Sequence, residues 1–297
     1  MQQNQLVSII MNCHNGEKYL KDSIQSVLSQ THENWELIFW DNQSEDKSAE
    51  IFKGYTDKRF RYFYSNRHTS LYEARNLAIE KSEGDFIAFL DTDDMWENYK
   101  LELQMPYFQK PEVGLVFSNL WVIKQNKENK KLYTKKKLPS GKVYNELINN
   151  YNLGILTSML RKKFYNKLEK KFDNRYSIIG DFDLFLRLAK ICHFESIQRP
   201  LAFYRLHGQN LSTVIKEKEV EEMEMWLNEN KFQLTETQFK RMQKKSNHRK
   251  FVNHKLDGNY KDCINLLLNP RKNLFNFKNL IIFFMPTIIL KKLLWFH

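Results

Sequence analysis

Cysteine, glycine and proline are all scarce in this chain of 297 residues. Its three cysteines, Cys13, Cys192 and Cys263, lie far apart and form no CxxC pair. That excludes a disulfide scaffold and a cysteine-rich zinc site, and it fits a reducing compartment. Nine glycines and six prolines are too few for collagen or flexible multi-domain linkers, and they argue against an all-β sandwich. The opening MQQNQLVSIIMN lacks a basic stretch leading into a long apolar one, so a cytoplasmic chain without a signal peptide is expected. No apolar run approaches the roughly 20 residues of a bilayer span; LIIFFMPTIIL (280–290) is 11 residues long and contains Pro286. What is present is core material: 42% hydrophobic against 28% charged residues allows a packed core and rules out global disorder.

The net charge of +12 is unevenly spread. Residues 1–120 hold 12 Lys/Arg against 19 Asp/Glu, whereas 121–297 hold 35 against 16. An acidic first part and a basic remainder imply different tasks, the second facing phosphates of lipid head groups, nucleic acid or a substrate.

Hydrophobic periodicity predicts strands at 6–12, 35–41, 59–64, 85–91 and 113–123, alternating with helices at 16–30, 44–55, 70–82 and 96–108. Ser44 or Asp46 would cap the second helix. Strands alternating with helices imply crossover connections, hence an α/β fold with a mainly parallel sheet flanked by helices. The polar, basic segment 124–142 reads as a loop or hairpin insertion. A helix near 143–150, a strand near 155–161 and a helix at 181–191 follow. Beyond Ser212 the pattern becomes helical and basic, with helices at 217–232 and 235–256. The apolar stretch 280–290, with Arg271, Lys272, Lys278, Lys291 and Lys292 around it and LLWF beyond, suits an interfacial membrane segment. The same stretch would also suit a helix buried against the domain or an oligomer contact.

In open α/β sheets ligands bind where strands end. Asp41 ends the second strand, and Asp91-Thr92-Asp93-Asp94 follows the wholly apolar FIAFL of the fourth. Carboxylates gathered at adjacent strand ends are costly without a cation. Mg2+ or Mn2+ suits their oxygens and binds diphosphate as well.

Four stretches occur in an order and spacing that resemble one enzyme family: VSIIMNCHNGEKYLKDSIQSVLSQTHENWELIFWDNQSED, SLYEARNLAIEKSEGDFIAFLDTDD, GDFDLFLRLAK and RPLAFYRLHGQNLS. The family is the inverting glycosyltransferases of family 2, which have the GT-A fold, and the resemblance covers roughly residues 6–213. It implies a GT-A domain at 1–213; residues 214–297 carry no such signature, and their charge and pattern read as a basic helical extension with an apolar, membrane-associated tail. It also implies sugar transfer with inversion from a nucleotide-diphosphate sugar, UDP-linked, to a saccharide hydroxyl, as in surface polysaccharide, lipopolysaccharide or glycolipid synthesis.

Under that resemblance Asp91 and Asp93 form the DxD pair. Asp93 would ligate Mn2+ or Mg2+ on the donor diphosphate, Asp91 would share the metal or meet the ribose, and Asp94 stands in reserve. Asp41 takes the position of the first of two acids near the nucleotide base; the second is Asn42 here. Arg75, beside Asn76, would bind diphosphate or neutralise the acidic site. Asp181 takes the place of the catalytic base, where a helix N-cap would be its bland role, and the preceding residue, often acidic in the family, is Gly180. His207 matches a position that contacts metal or diphosphate. Trp96 reads as an anchor for the acidic loop, and Asp183 as a partner of Arg187.

The implied partners are a nucleotide-sugar donor and a saccharide or lipid-linked saccharide acceptor. Peripheral contact with the inner face of the cytoplasmic membrane is expected, and nucleic acid is not. A reading of a different class keeps the fold and drops the chemistry: a non-catalytic basic module docking anionic membrane or nucleic acid through 235–256. The joint presence of Asp41, Asp91, Asp93 and Asp181 speaks against it, because a scaffold needs none of them.

Overall fold

A computed structural model describes residues 5–124, 129–272 and 274–295. Residues 125–128 of the polar segment and Phe296 of the terminal LLWF lie outside the described residues. The chain divides into two compact units, Met1–Gly208 and Gln209–His297.

The first unit opens with β1 (Val7–Cys13), α1 (Glu17–Leu28), β2 (Trp35–Asp41), α2 (Ser48–Lys53), β3 (Phe60–Tyr64), α3 (Leu71–Glu80) and β4 (Phe86–Phe89). Next come β5 (Met95–Trp96), α4 (Lys100–Gln104), β6 (Val113–Ile123), β7 (Lys130–Leu132) and α5 (Tyr144–Asn149). The unit is completed by β8 (Met159–Arg161), α6 (Lys162–Lys167), α7 (Gly180–Ala189) and β9 (His193–Arg205). One sheet takes the order β3-β2-β1-β4-β8-β6-β9-β5, with β7 attached to β6. The run β3-β2-β1-β4 is parallel, as strand–helix alternation predicts. Beyond it the sheet is mixed: β8 is antiparallel to both β4 and β6, β9 runs parallel to β6, and β5 antiparallel to β9.

The parallel run reads as unbroken apolar stretches because both faces are covered; every residue of β2 and β4 is buried. On α1 the buried Leu20, Ile24 and Val27 recur at helical spacing and pack into that core. Register puts the strand ends side by side. Cys13 pairs with Asp41, and Ile10 with Phe89, so Asp41 and the acidic turn after β4 emerge at one edge.

Four local expectations change in the fold. The strand expected near 155–161 opens as a 3-10 turn, Ile155–Thr157, and pairs only over Met159–Arg161. The helix expected at 44–55 begins only at Ser48, with Lys47 at its cap. Ser44 N–H instead donates to the Asp41 carboxylate, while Asp46 accepts from Glu17 N–H and Ser48 N–H; these groups fasten the loop to α1. The helix expected at 96–108 yields its first residue to β5, where Met95 and Trp96 pair with Phe203 and Ala202. It then ends in a 3-10 turn containing Pro106. Strand β9 was not anticipated, because Pro200 interrupts its pattern. That proline sits opposite Asn119 where the register slips, the kind of irregularity that tolerates a missing N–H.

Trp96 is buried, donates from Nε1 to Leu156 O at 3.0 Å and carries Lys100 over its ring at 4.1 Å. It anchors the acidic loop. Lys100 is itself fully buried, with Nζ donating to Gln104 Oε1 at 2.8 Å, and burial pulls its ammonium well below the usual lysine range. The unfolded chain therefore binds more protons than the folded one between the lowered pKa and the ordinary value of about 10.4, so stability rises with pH across that window. Urea titrations of wild type and Lys100→Met at pH 7 to 10 are expected to diverge in favour of wild type by up to about 1.4 kcal/mol per pH unit. Parallel curves would show that Lys100 keeps its proton in the folded protein, contrary to the expected downward shift.

The second unit is helical: α8 (Leu211–Val214), α9 (Lys216–Asn230), α10 (Glu236–Leu256), α11 (Tyr260–Leu268), α12 (Phe277–Phe284) and α13 (Thr287–Trp295). Thr235 and Gln238 close a capping box on α10. Phe251 and Val252 of α10 pack with Cys263 and Leu267 of α11 and with Leu274 in a small core. Among the described residues no helix is long and apolar enough to cross a membrane.

Candidate functional site

Two glycines permit the close approaches that shape the site. A Cβ on Gly16, at the start of α1, would lie 2.7 Å from Thr92 Oγ1 of the acidic turn. A Cβ on Gly180 would lie 2.6 Å from the Tyr72 ring. Here an aromatic ring from α3 takes the space beside Asp181, which accounts for glycine where an acid is common.

Asp41 is fully buried, with Oδ1 accepting from Ser44 N–H at 2.8 Å and Oδ2 from Tyr62 O–H at 2.7 Å. Burial and that carboxylate push the Tyr62 phenol well above its ordinary value, so it stays a donor. Asn42 is held at both ends by Thr69: its Nδ2 donates to Thr69 O at 2.8 Å, and its Oδ1 accepts from Thr69 Oγ1 at 2.8 Å and from Thr69 N at 3.2 Å. The Asn42 side chain thus ties two loops together, and its backbone carbonyl accepts from His14 Nδ1 at 3.2 Å and His68 Nδ1 at 3.1 Å. These two histidines, exposed and 4.5 Å apart between ring centres, carry no motif signal that sequence reading could use.

Arg75 lies on the inner side of α3, 3% exposed, and donates from one Nη to Asp91 Oδ1 at 2.9 Å and Oδ2 at 3.2 Å. Burial opposes its charge, but the fields of Asp91, Tyr72 and Asp181 outweigh it and hold the guanidinium protonated. Arg75 is therefore shared electrostatically between the acidic turn and Asp181. Neighbouring Asn76 turns the other way and joins Phe172 O and Tyr165 Oη.

Asp93 receives a second partner from the far end of the chain. β5 pairs with β9, and two residues past β9 His207 Nε2 meets Asp93 Oδ2 at 2.8 Å. Burial and the charge of Asp91 raise the Asp93 carboxyl, and His207 pulls against that rise. Asp94 points the other way: it is buried, its Oδ1 accepts from Arg205 N–H at 2.8 Å, and burial with its two acidic neighbours lifts its pKa well above the carboxylate range. It fastens β9 to the turn. Arg205 completes the fastening through Asp93 O at 3.0 Å and Asp22 at 2.9 Å.

Asp181 lies in the first turn of α7. The cap position is Ile179, which makes no side-chain cap, so the bland role of N-cap is not the one Asp181 fills. Tyr72 Oη stands 3.4 Å from its Oδ1 and Tyr151 Oη 3.4 Å from its Oδ2. Burial raises the Asp181 carboxyl, against the opposing pull of Arg75 and Tyr72. Burial and the charge of Asp181 raise the Tyr151 phenol in turn. The same charge bears on Tyr133, just past β7, so the hairpin insertion reaches toward the acid. Asp183 pairs with Arg187 at 2.7 Å, as expected.

The fold thus brings Asp91 to Arg75, Asp93 to His207, and Arg75 into the field of Asp181. Among the described residues no group of three or more His, Cys, Asp or Glu side chains is gathered to hold a metal ion. The Asp93–His207 pair is nevertheless a fitting donor set. Mg2+ keeps most of its shell for water and phosphate and takes only one or two protein carboxylates, and imidazole is acceptable to Mn2+.

A family profile described as Glycosyl transferase family 2 matches residues 8–187. The chain is 32% identical over 210 residues to an Escherichia coli protein named UDP-Glc:alpha-D-GlcNAc-diphosphoundecaprenol beta-1,3-glucosyltransferase WfgD, across 70% of this chain and 80% of that one. It is 31% identical over 162 residues to the putative teichuronic acid biosynthesis glycosyltransferase TuaG of Bacillus subtilis, across 53% of this chain and 63% of the relative. A crystal structure of S. aureus TarS in complex with UDP-GlcNAc superposes with a TM-score of 0.65 at 17% identity, covering 88% of this chain and 79% of the other. That likeness is one of fold, and the fold is of the GT-A type.

Proposed function

The chain belongs to glycosyl transferase family 2, and from that premise we propose that it is an inverting enzyme of polysaccharide synthesis, moving a sugar from a UDP-linked donor to a saccharide hydroxyl on a lipid-linked acceptor. The observation that carries the reading is the arrangement around Asp181. A partly exposed carboxylate with a raised pKa sits in a helix first turn, shares Arg75 with the acidic turn, and is flanked by two tyrosines. Relatives named for a UDP-glucose donor, a diphosphoundecaprenol-linked acceptor and teichuronic acid synthesis support the choice of substrates.

Asp181 takes the proton of the acceptor hydroxyl as that oxygen attacks the anomeric carbon. The bond to the diphosphate breaks, and the nucleoside diphosphate leaves with the electron pair from the opposite face. A single displacement of this kind inverts the configuration and needs no covalent sugar–enzyme intermediate. Arg75 balances the charge of Asp91 beside the leaving group. Asp93 and His207 would hold Mn2+ or Mg2+, which supplies Lewis-acid stabilisation of the diphosphate when bound. Asp41, with its partner Tyr62, lines the end of β2 where the nucleoside is expected.

Incubating the purified protein with Mn2+ and a panel of nucleotide sugars, and measuring released nucleoside diphosphate, tests the reading. One donor should be turned over slowly, and EDTA should stop it. Silence across the panel, with no thermal shift from any nucleoside diphosphate, would favour a non-catalytic binding module.

The raised Asp181 carboxyl also fixes a pH dependence. A base works only when deprotonated, so the acid limb of kcat/KM is expected above the ordinary aspartate value of about 3.9. Tyr72 O–H, which donates to Ile178 O at 2.8 Å, also stands 3.4 Å from the Asp181 carboxylate, favours its charged form and lowers its pKa. Tyr72→Phe should therefore move the limb to higher pH, and an unmoved limb would detach it from Asp181.

A further inference from the structure

The α11–α13 end of the second unit presents its apolar residues outward. On α12, Ile282 and Phe283 pack toward the core of Phe251, Val252, Cys263, Leu267 and Leu274, and Asn279 is buried. Its opposite side should be polar in a helix that faces only water. Instead Phe277 and Phe284 are each 79% exposed, with Ile281 between them and Ile288 following at 69%. Phe277, Ile281 and Phe284 fall at the i, i+4, i+7 spacing of one helical stripe on α12; past the break at Met285-Pro286, α13 adds the exposed Ile288. Beside it, Leu268 and Phe275 are exposed at the rim of a cavity of about 370 Å³ lined also by Leu267 and Pro270. So many large apolar side chains left exposed on neighbouring helices mark an interaction face.

Charge identifies the occupant. Residues 263–297 contain five Lys/Arg and no Asp/Glu, and Lys278 and Lys291 are exposed alongside the stripe. A second copy of the chain meeting this face through a two-fold axis would set these lysines against their own equivalents, which is repulsive. An anionic bilayer answers both features, taking the phenyl and isoleucyl groups into the acyl boundary and the lysines at the phosphates. We propose that α12 and α13 lie in the interface plane of an anionic membrane, inserted through Phe277, Ile281, Phe284 and Ile288, without crossing it. This surface stands on exposure and charge, independently of the catalytic reading.

The test is co-sedimentation of the full chain with phosphatidylcholine vesicles, with and without 30 mol% phosphatidylglycerol. Binding should appear with the anionic vesicles and weaken as salt rises. Phe277→Ser/Phe284→Ser, both at exposed positions, should reduce the bound fraction more than tenfold, while donor hydrolysis in solution and thermal stability stay unchanged. Lys278→Glu/Lys291→Glu should remove the preference for the anionic lipid. No binding to either vesicle would overturn the proposal, as would binding that the Phe277→Ser/Phe284→Ser variant retains. So would a dimer, seen by sedimentation velocity, that the same variant dissolves in the absence of vesicle binding. Because hydrolysis is read separately, vesicle binding can fail with the transferase reading intact, and the reverse.

Discussion

Asp181→Asn is expected to lower kcat by about three orders of magnitude, within the range that removal of a positioned general base produces. Asparagine keeps the volume and an acceptor for Tyr72 O–H, so the pocket should stay intact. What is lost is the ability to take the acceptor proton, while the donor side of the site, at Asp41, Asp91 and Asp93, is untouched. Binding of the nucleoside diphosphate, measured by calorimetry, should therefore change less than threefold. That split separates a base from a packing residue, because a collapse around Tyr72 and Tyr151 would show in stability and in binding as well. Turnover at the wild-type rate would remove Asp181 from the chemistry and leave its raised carboxyl as a by-product of burial.

Arg75→Met is expected to damage stability and turnover together. The guanidinium is 3% exposed and stands between two acids that both feel it. Breaking a buried pair by removing one partner costs several kcal/mol, because the remaining charge is stranded. Here the cost should be about 2 kcal/mol, at the lower end, since the Asp91 side chain is 36% exposed and can rehydrate. Arg75 lowers the Asp181 carboxyl, so in the variant the acid limb of kcat/KM should also move to higher pH. Turnover at neutral pH should fall by about 100-fold as the unbalanced acidic turn repels the donor diphosphate. Urea denaturation and a pH–rate profile check both parts. A variant with unshifted limb and normal turnover would reduce Arg75 to a structural ion pair.

The legible part of the site is the part carried by local pattern. Asp41 and Asp91 could be placed at one edge from the sequence because apolar runs end at them and parallel strands share a direction. The DxD turn was recognisable for the same reason, as were Asp183 and Arg187, four residues apart on one helix. The partners that tune these groups were not legible. Tyr62 sits on an adjacent strand, Tyr72 on the helix before the acidic turn, and Tyr151 in an irregular segment, and none belongs to a spacing that announces a role. His14 and His68 meet at Asn42 O only because the loops after β1 and β3 face each other across the end of β2. Asp94 read as a reserve ligand because adjacent acids look alike in sequence; the backbone of the turn sends it inward to Arg205 N–H.

The sequence by itself determined the α/β class, the parallel sense of the strands that alternate with helices, the acidic edge and the family, because periodicity, composition and motif order are carried by neighbours along the chain. Only the tertiary structure decided which cation, distant along the chain, meets each acid at the strand ends. Asp93 finds His207 across 114 positions, and it does so because β9 returns along β6 and pairs with the two residues of β5 that follow the acidic turn. Such contacts depend on sheet order and register, and a charge buried by them acquires its pKa from neighbours that the chain brings together only when it folds.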